Sequence, residues 1–207
     1  MEMERRSYDA TLAITRVDGE QAEPAELRVK GYAAVFDRAS EDMGGFIEYI
    51  APGAFDEALA AADDVRALYN HNPDMLLART SSGTLSLTQD QTGLGVDFSL
   101  PDTSVGRDLA VSLERGDVSQ MSFAFTVAQD KWEERDDGPA IRTITQVARL
   151  YDVSPVTYPA YPDTSVALRS RDAARETVKP KDEGIEYHLP DEYTTDKARR
   201  KLALLDD

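Results

Sequence analysis

The sequence predicts a β-rich α+β domain followed by a charged tail, and three observations carry that prediction. Short apolar runs with strand-like alternation recur from residue 8 to about residue 151, only two stretches before the tail favour a helix, and the composition shifts to charged residues near Ser170. A chain of 207 residues is long enough for one good core and an extension. Residues 1–169 are therefore expected to fold as one domain, and residues 170–207 to form a charged, flexible tail.

Taken in order, residues 8–17 alternate loosely through Leu12, Ile14 and Val17 and stop at the turn signal Asp18-Gly19, which predicts a strand. Residues 27–36 predict a second, bent strand, because Gly31 inside an apolar run marks a bulge or a close backbone approach. A polar loop over 40–45 leads to a short strand at 46–50. The alanine-rich stretch 56–62, entered through Pro52-Gly53, favours a short helix. Residues 65–71 extend as a strand with His71 at its end, and Asn72-Pro73-Asp74 supplies a turn directly afterwards.

Two alternating runs, 84–88 and 94–100, flank Asp90-Gln91-Thr92-Gly93 and predict an antiparallel hairpin. Val105, Leu109 and Leu113 recur at four-residue spacing, so residues 103–115 are a predicted amphipathic helix, capped by Asp102 or Thr103 and stopped by Gly116. A strand is expected over 118–127 and a charged loop around Trp132 over 129–139. In 141–151 the apolar residues Ile141, Ile144, Val147 and Leu150 are three apart, closer to a helical repeat. The β-branched residues and threonines nevertheless favour a strand. Three prolines in 153–162 predict an ordered loop, and residues 191–205 suit a short terminal helix.

Composition excludes several function classes. Thirty-nine acidic against 23 basic residues give a net charge of −16, which repels phosphate backbones and argues against nucleic acid as the main ligand. No apolar run approaches the ~20 residues of a membrane span, and the start Met-Glu-Met-Glu-Arg-Arg has no signal-peptide core. A soluble protein made in a cytoplasm is expected. With no cysteine and only His71 and His188, a zinc site would depend on carboxylates, so neither a metal nor a cofactor is expected. The acidic pairs Asp63-Asp64, Glu133-Glu134 and Asp136-Asp137 are expected on the solvated surface.

Three residues stand out as candidates. In the run 118–127, alternation puts Met121, Phe123 and Phe125 on one face and Gln120, Ser122, Ala124 and Thr126 on the other, which leaves the Ser122 hydroxyl clear of the apolar layer. His71 is placed by its following turn at a rim, either as a base or as a surface histidine. Asp152 lies at a strand end, where an aspartate can accept backbone hydrogen bonds.

Six segments occur in an order that resembles the prohead proteases of tailed bacteriophages. They are Gly31-Tyr32-Ala33-Ala34-Val35-Phe36, Glu48-Tyr49-Ile50-Ala51-Pro52-Gly53-Ala54-Phe55, Tyr69-Asn70-His71-Asn72, Gly93-Leu94, Met121-Ser122-Phe123-Ala124-Phe125, and Val153-Ser154-Pro155-Val156-Thr157-Tyr158-Pro159-Ala160. Together they run across residues 27–168, and it is the ordered set that is specific. The resemblance implies a serine endopeptidase with a fold similar to the herpesvirus assembly proteases, a small antiparallel β-barrel surrounded by helices, with residues 1–169 as the protease domain. It also implies action in the host cytoplasm, inside the immature capsid, on the major capsid protein and scaffold and on the enzyme itself, and it admits a homo-oligomer.

The resemblance further assigns roles. Ser122 is the nucleophile and needs a base within reach; His71 is that base, since His188 lies in the tail. Asp152 takes the third place, where the family more often carries glutamate and the herpesvirus relatives histidine, so the shorter side chain must approach closely or work through water. Oxyanion donors are expected in the loop 157–161. The rival reading is a noncatalytic capsid-assembly module that docks onto scaffold.

Overall fold

The computed structural model describes residues 2–8, 12–17, 26–158 and 172. The chain divides into two units, Met1–Asp172 and Ala173–Asp207. Apart from Asp172, the expected tail lies outside the described residues, as does the terminal helix expected at 191–205.

Ten strands and two helices make up the described part: β1 Glu4–Tyr8, β2 Ala13–Val17, β3 Glu26–Val35, β4 Phe46–Ile50, α1 Asp56–Ala60, β5 Arg66–Tyr69, β6 Asn72–Arg79, β7 Leu85–Gln89, β8 Gly93–Ser99, α2 Ser104–Arg115, β9 Gln120–Glu133 and β10 Ala140–Val156. One sheet has the order β1-β9-β10-β5-β6, with β4 also on β10; the other has the order β2-β3-β8-β7. The β-rich class stands, but among the described residues the strands pair into two sheets without closing a single barrel. Nor is the pairing wholly antiparallel, because β4 and β5 both run parallel to β10. Both are reached through intervening chain long enough to reverse direction, as parallel pairing requires. Two helices do not surround the sheets; they contribute Ala58 and Leu109 to a core that draws Val29, Leu94 and Phe98 from one sheet and Phe123, Phe125 and Val147 from the other.

Local signals placed several elements well. In α2, Thr103 Oγ1 accepts from the Gly106 N–H, and Gly116 ends the helix at φ 77°, the left-handed conformation glycine adopts without penalty. The β7–β8 hairpin is antiparallel as predicted, its turn held by Asp90 Oδ1, which accepts from the Thr92 and Gly93 N–H groups at 2.7 and 3.1 Å. Gly93 itself faces β3 so closely that a Cβ would lie 1.9 Å from the Ala34 carbonyl oxygen. It sits by the register shift between Tyr32 and Ala34, which supplies the bend expected around Gly31.

Other expectations need correction. Of the strand expected over 8–17, residues 13–17 form β2 on β3, while Tyr8 is the last residue of β1, an earlier strand that pairs with β9 in the other sheet. Trp132 belongs to β9, not to a loop, and stacks edge-on against Phe46 at 5.1 Å. β10 continues to Val156, through Pro155, into the region expected to be a loop. Its pairing with β5 covers only Asp152 and Val153, so the proline falls where that ladder has ended. The three-residue apolar spacing also finds its cause. Register shifts lie between Ile144 and Gln146, Gln146 and Val147, Val147 and Arg149, and Leu150 and Asp152. The shifts after Ile144 and Val147 each insert a residue into the two-residue repeat of β10, whereas the one between Gln146 and Val147 puts the extra residue in β9, so Ile144, Val147 and Leu150 are all buried in the core.

Candidate active site

Ser122 lies in the β9 segment that pairs on both sides, opposite Ser7 of β1 and Ser154 of β10. Its flanking residues Met121 and Phe123 are fully buried in the core. Phe123 packs edge-on against Phe55 at 5.7 Å and stacks on Phe125 at 4.7 Å. The Ala54-Phe55 step before α1 thus clamps β9 from the core side, fixing the backbone from which Ser122 projects to the opposite face.

His71 comes from the β5–β6 hairpin. Tyr69 pairs with Asn72, leaving Asn70 and His71 as a two-residue loop, and both have φ of 55°. Two consecutive left-handed residues are the signature of a type I′ turn, whose twist suits a hairpin. Asparagine and histidine both adopt that conformation more readily than most non-glycine residues, and here it sets the direction in which the His71 side chain leaves the hairpin. The turn therefore contains His71 instead of following it, and Pro73 is accommodated because β6 is an edge strand. Asn70 fastens the turn to the end of β10. Its N–H donates to the Pro155 carbonyl at 3.0 Å, its Nδ2 donates to Thr157 Oγ1 at 3.2 Å, and its Oδ1 accepts from the Thr157 N–H at 2.8 Å.

These elements bring the three candidate residues into one chain of hydrogen bonds. His71 Nδ1 lies 2.6 Å from Asp152 Oδ1, and His71 Nε2 lies 2.7 Å from Ser122 Oγ. An ionised carboxylate only accepts, so Nδ1 carries the ring proton and Nε2 of the neutral ring is left to accept from the serine hydroxyl. Asp152 needs no bridging water: the short side chain makes direct contact. A second contact bears on the nucleophile, since Ser122 Oγ is also 2.9 Å from the Arg6 carbonyl oxygen. One hydroxyl proton serves two acceptors, so donation to His71 competes with donation to β1. The Thr157 N–H, one of the expected oxyanion donors, is occupied by Asn70, and residues 159–161 lie outside the described residues.

Two groups of polar residues here had no counterpart in the sequence reading. Ser154, fully buried, donates from Oγ to Asp152 Oδ1 at 2.7 Å; it was concealed within a proline-rich segment. The other is a buried ion cluster. Glu4 and Arg6 of β1 stand opposite Phe125 and Phe123, so they share the core face of the sheet. Arg6 Nε and Nη2 donate to Glu48 at 2.6 and 2.9 Å, and Nη2 also to Glu4 at 2.5 Å. Arg142 Nη1 bridges Glu4 and Glu48 at 2.7 and 2.9 Å, and its Nε reaches Asp130 at 2.8 Å. Burial by itself would raise the Glu4 pKa, but the hydrogen bonds and charges of Arg142 and Arg6 outweigh it and hold the carboxyl below its ordinary value. Burial would likewise lower the pKa values of both guanidiniums, and the carboxylates raise them. By contrast, Glu133-Glu134 and Asp136-Asp137 are exposed, and Asp63-Asp64 is half-buried, with Asp64 paired to Arg79.

The family model described as caudovirus prohead serine protease matches residues 13–179. The prohead protease of Enterobacteria phage HK97 is 30% identical over 176 residues, covering 84% of this chain and 71% of the relative. A structure of the bacteriophage T4 capsid assembly protease aligns with a TM-score of 0.49 at 10% identity, covering 76% of this chain and 98% of that one. The extent of the family match and of the HK97 similarity places the chain in the caudovirus prohead serine protease family.

Proposed function

We propose that this chain is a serine endopeptidase in which Ser122 is the nucleophile, His71 the general acid and base, and Asp152 the carboxylate that orients the imidazole. The observation that carries this reading is the unbroken path from Asp152 Oδ1 through both nitrogens of His71 to Ser122 Oγ. A serine hydroxyl attacks a carbonyl only as its proton leaves, and Nε2 is positioned to take it. The resulting imidazolium is paired with Asp152, then returns the proton to the leaving amine; a water molecule, deprotonated by the same nitrogen, releases the acyl group from Ser122.

Family membership directs this chemistry to prohead maturation. The substrates are scaffold and capsid-protein segments, the place of action is the interior of the immature capsid, and the enzyme's own tail beyond about residue 169 is a further substrate. The test is covalent labelling by a fluorophosphonate, followed by peptide mass spectrometry. Modification at Ser122 is expected, and its loss in Ser122→Ala. Protein that binds scaffold without labelling or turnover would instead be the noncatalytic assembly module. Intact-mass measurement completes the test: a shortened chain is expected for active protein and a full-length chain for Ser122→Ala, whereas equal retention of the tail in both excludes self-removal.

A further inference from the structure

We propose that Ser154 is a positioning residue for the proton relay, holding the Asp152 carboxylate so that a single oxygen serves His71; this rests on the roles proposed for Ser122, His71 and Asp152. Asp152 Oδ1 is the meeting point of two donors, His71 Nδ1 at 2.6 Å and Ser154 Oγ at 2.7 Å. Residues 152 and 154 are two apart on an extended strand, so their side chains share a face. Ser154 is also the cross-strand partner of Ser122, which puts the side-chain attachment points of the two serines only about 4.5–5.5 Å apart. The Ser154 hydroxyl thus lies between nucleophile and carboxylate, and its one proton goes to the carboxylate. That direction has two consequences.

The first concerns geometry. A carboxylate at the end of a short side chain turns freely about its last bond unless both its position and its acceptor lone pairs are committed. Two donors on one oxygen commit them, and Ser154 is fully buried, so water does not replace its donation. The second concerns the proton count on this face. The Ser154 proton is committed to Asp152, so the hydroxyl of Ser122, its cross-strand partner, has His71 Nε2 and the Arg6 carbonyl as its hydrogen-bond partners. The merely structural alternative is a buried hydroxyl satisfied by its nearest acceptor, with no effect on the imidazole.

The full chain distinguishes the two. The rate of fluorophosphonate labelling at Ser122 is measured for the wild type, Ser154→Ala and Ser154→Thr, along with the downfield proton resonance of His71 Nδ1–H. In Ser154→Ala, labelling is expected to slow about ten-fold, the scale of one lost hydrogen bond to a charged group, and the resonance to shift. Ser154→Thr keeps the hydroxyl and restores both. Labelling and resonance unchanged in folded Ser154→Ala would overturn the proposal, as would slowing that Thr does not rescue. Should Ser154→Ala not fold, Ser154→Cys substitutes a weak donor of similar size: an altered rate and resonance support the role, and wild-type values refute it. Absence of labelling at Ser122 in the wild type would instead count against the parent assignment of the nucleophile.

Discussion

Arg6 and Ser122 sit on neighbouring strands, and each belongs to a buried polar cluster, one on either face of the same sheet. On the core face, Glu4 and Glu48 are matched by Arg6 and Arg142, each bonded to more than one partner. On the other face, Asp152, His71 and Ser122 form a line instead of a closed ring, with Ser154 bracing its acidic end. The ion cluster uses guanidiniums, which do not give up a proton at any ordinary pH, so its charges are permanent and its effect is to anchor β1 and β4 to β10. The line has an imidazole at its centre and a hydroxyl at its end, so its proton can move. Burial makes both clusters sensitive to loss of a member, but loss in the first is expected to be felt as stability and, on the proposed roles, loss in the second as rate.

That contrast can be broken at specific residues. The largest effect is expected for Ser122→Ala, which should reduce peptide hydrolysis by about 10⁶-fold, the scale seen when the nucleophile of another serine protease is removed, while urea unfolding stays near wild type. Asp152→Asn retains size and shape but favours the wrong tautomer of His71; turnover should fall about 10⁴-fold, again with little change in stability. If either substitution unfolded the protein, the two clusters would not be separable in this way.

Arg142→Met reverses the expectation. It leaves Glu4, Glu48 and Asp130 short of a buried partner, and unfolding free energy measured in urea should drop by about 3–5 kcal/mol, with labelling per folded molecule preserved. The smallest effect is the acid response. Glu4 has its folded pKa depressed below its ordinary value near 4.5, so its contribution to stability is complete above that value and is lost as pH falls through the folded one. Unfolding midpoints measured from pH 6 downward should therefore decline below about pH 4.5, and the Glu4 share of that decline should shrink in Arg142→Met. An identical acid dependence in both proteins would show that Arg142 does not hold the Glu4 carboxyl down.

Features governed by near neighbours were legible. The α2 caps, the β7–β8 turn and the alternation that sends Met121, Phe123 and Phe125 to the core all depend on residues within a few positions of each other. β1 was not legible, because a strand containing Glu4 and Arg6 has no apolar signature until their partners, as far away as Arg142, are known. β10 was ambiguous for a related reason: bulges convert a repeat of two into a repeat of three, and a bulge is defined by the strand it pairs with. His71 lies within its turn and not, as the sequence suggests, before it, since Pro73 reads as a breaker unless β6 is known to be an edge.

The sequence alone determined which side chains had chemistry to offer, for a protein without cysteine and with two histidines leaves few ways to activate a serine. It also determined the face of β9 on which Ser122 stands, because strand alternation is a property of the backbone. Tertiary structure decided everything that depends on distance: that a left-handed turn aims His71 at both Ser122 and Asp152, that Ser154 shares the carboxylate, and that four buried charges cancel on the opposite face. Hydrogen bonds act over about 3 Å while their partners here are separated by up to 138 residues, so only the folded chain sets which ones form.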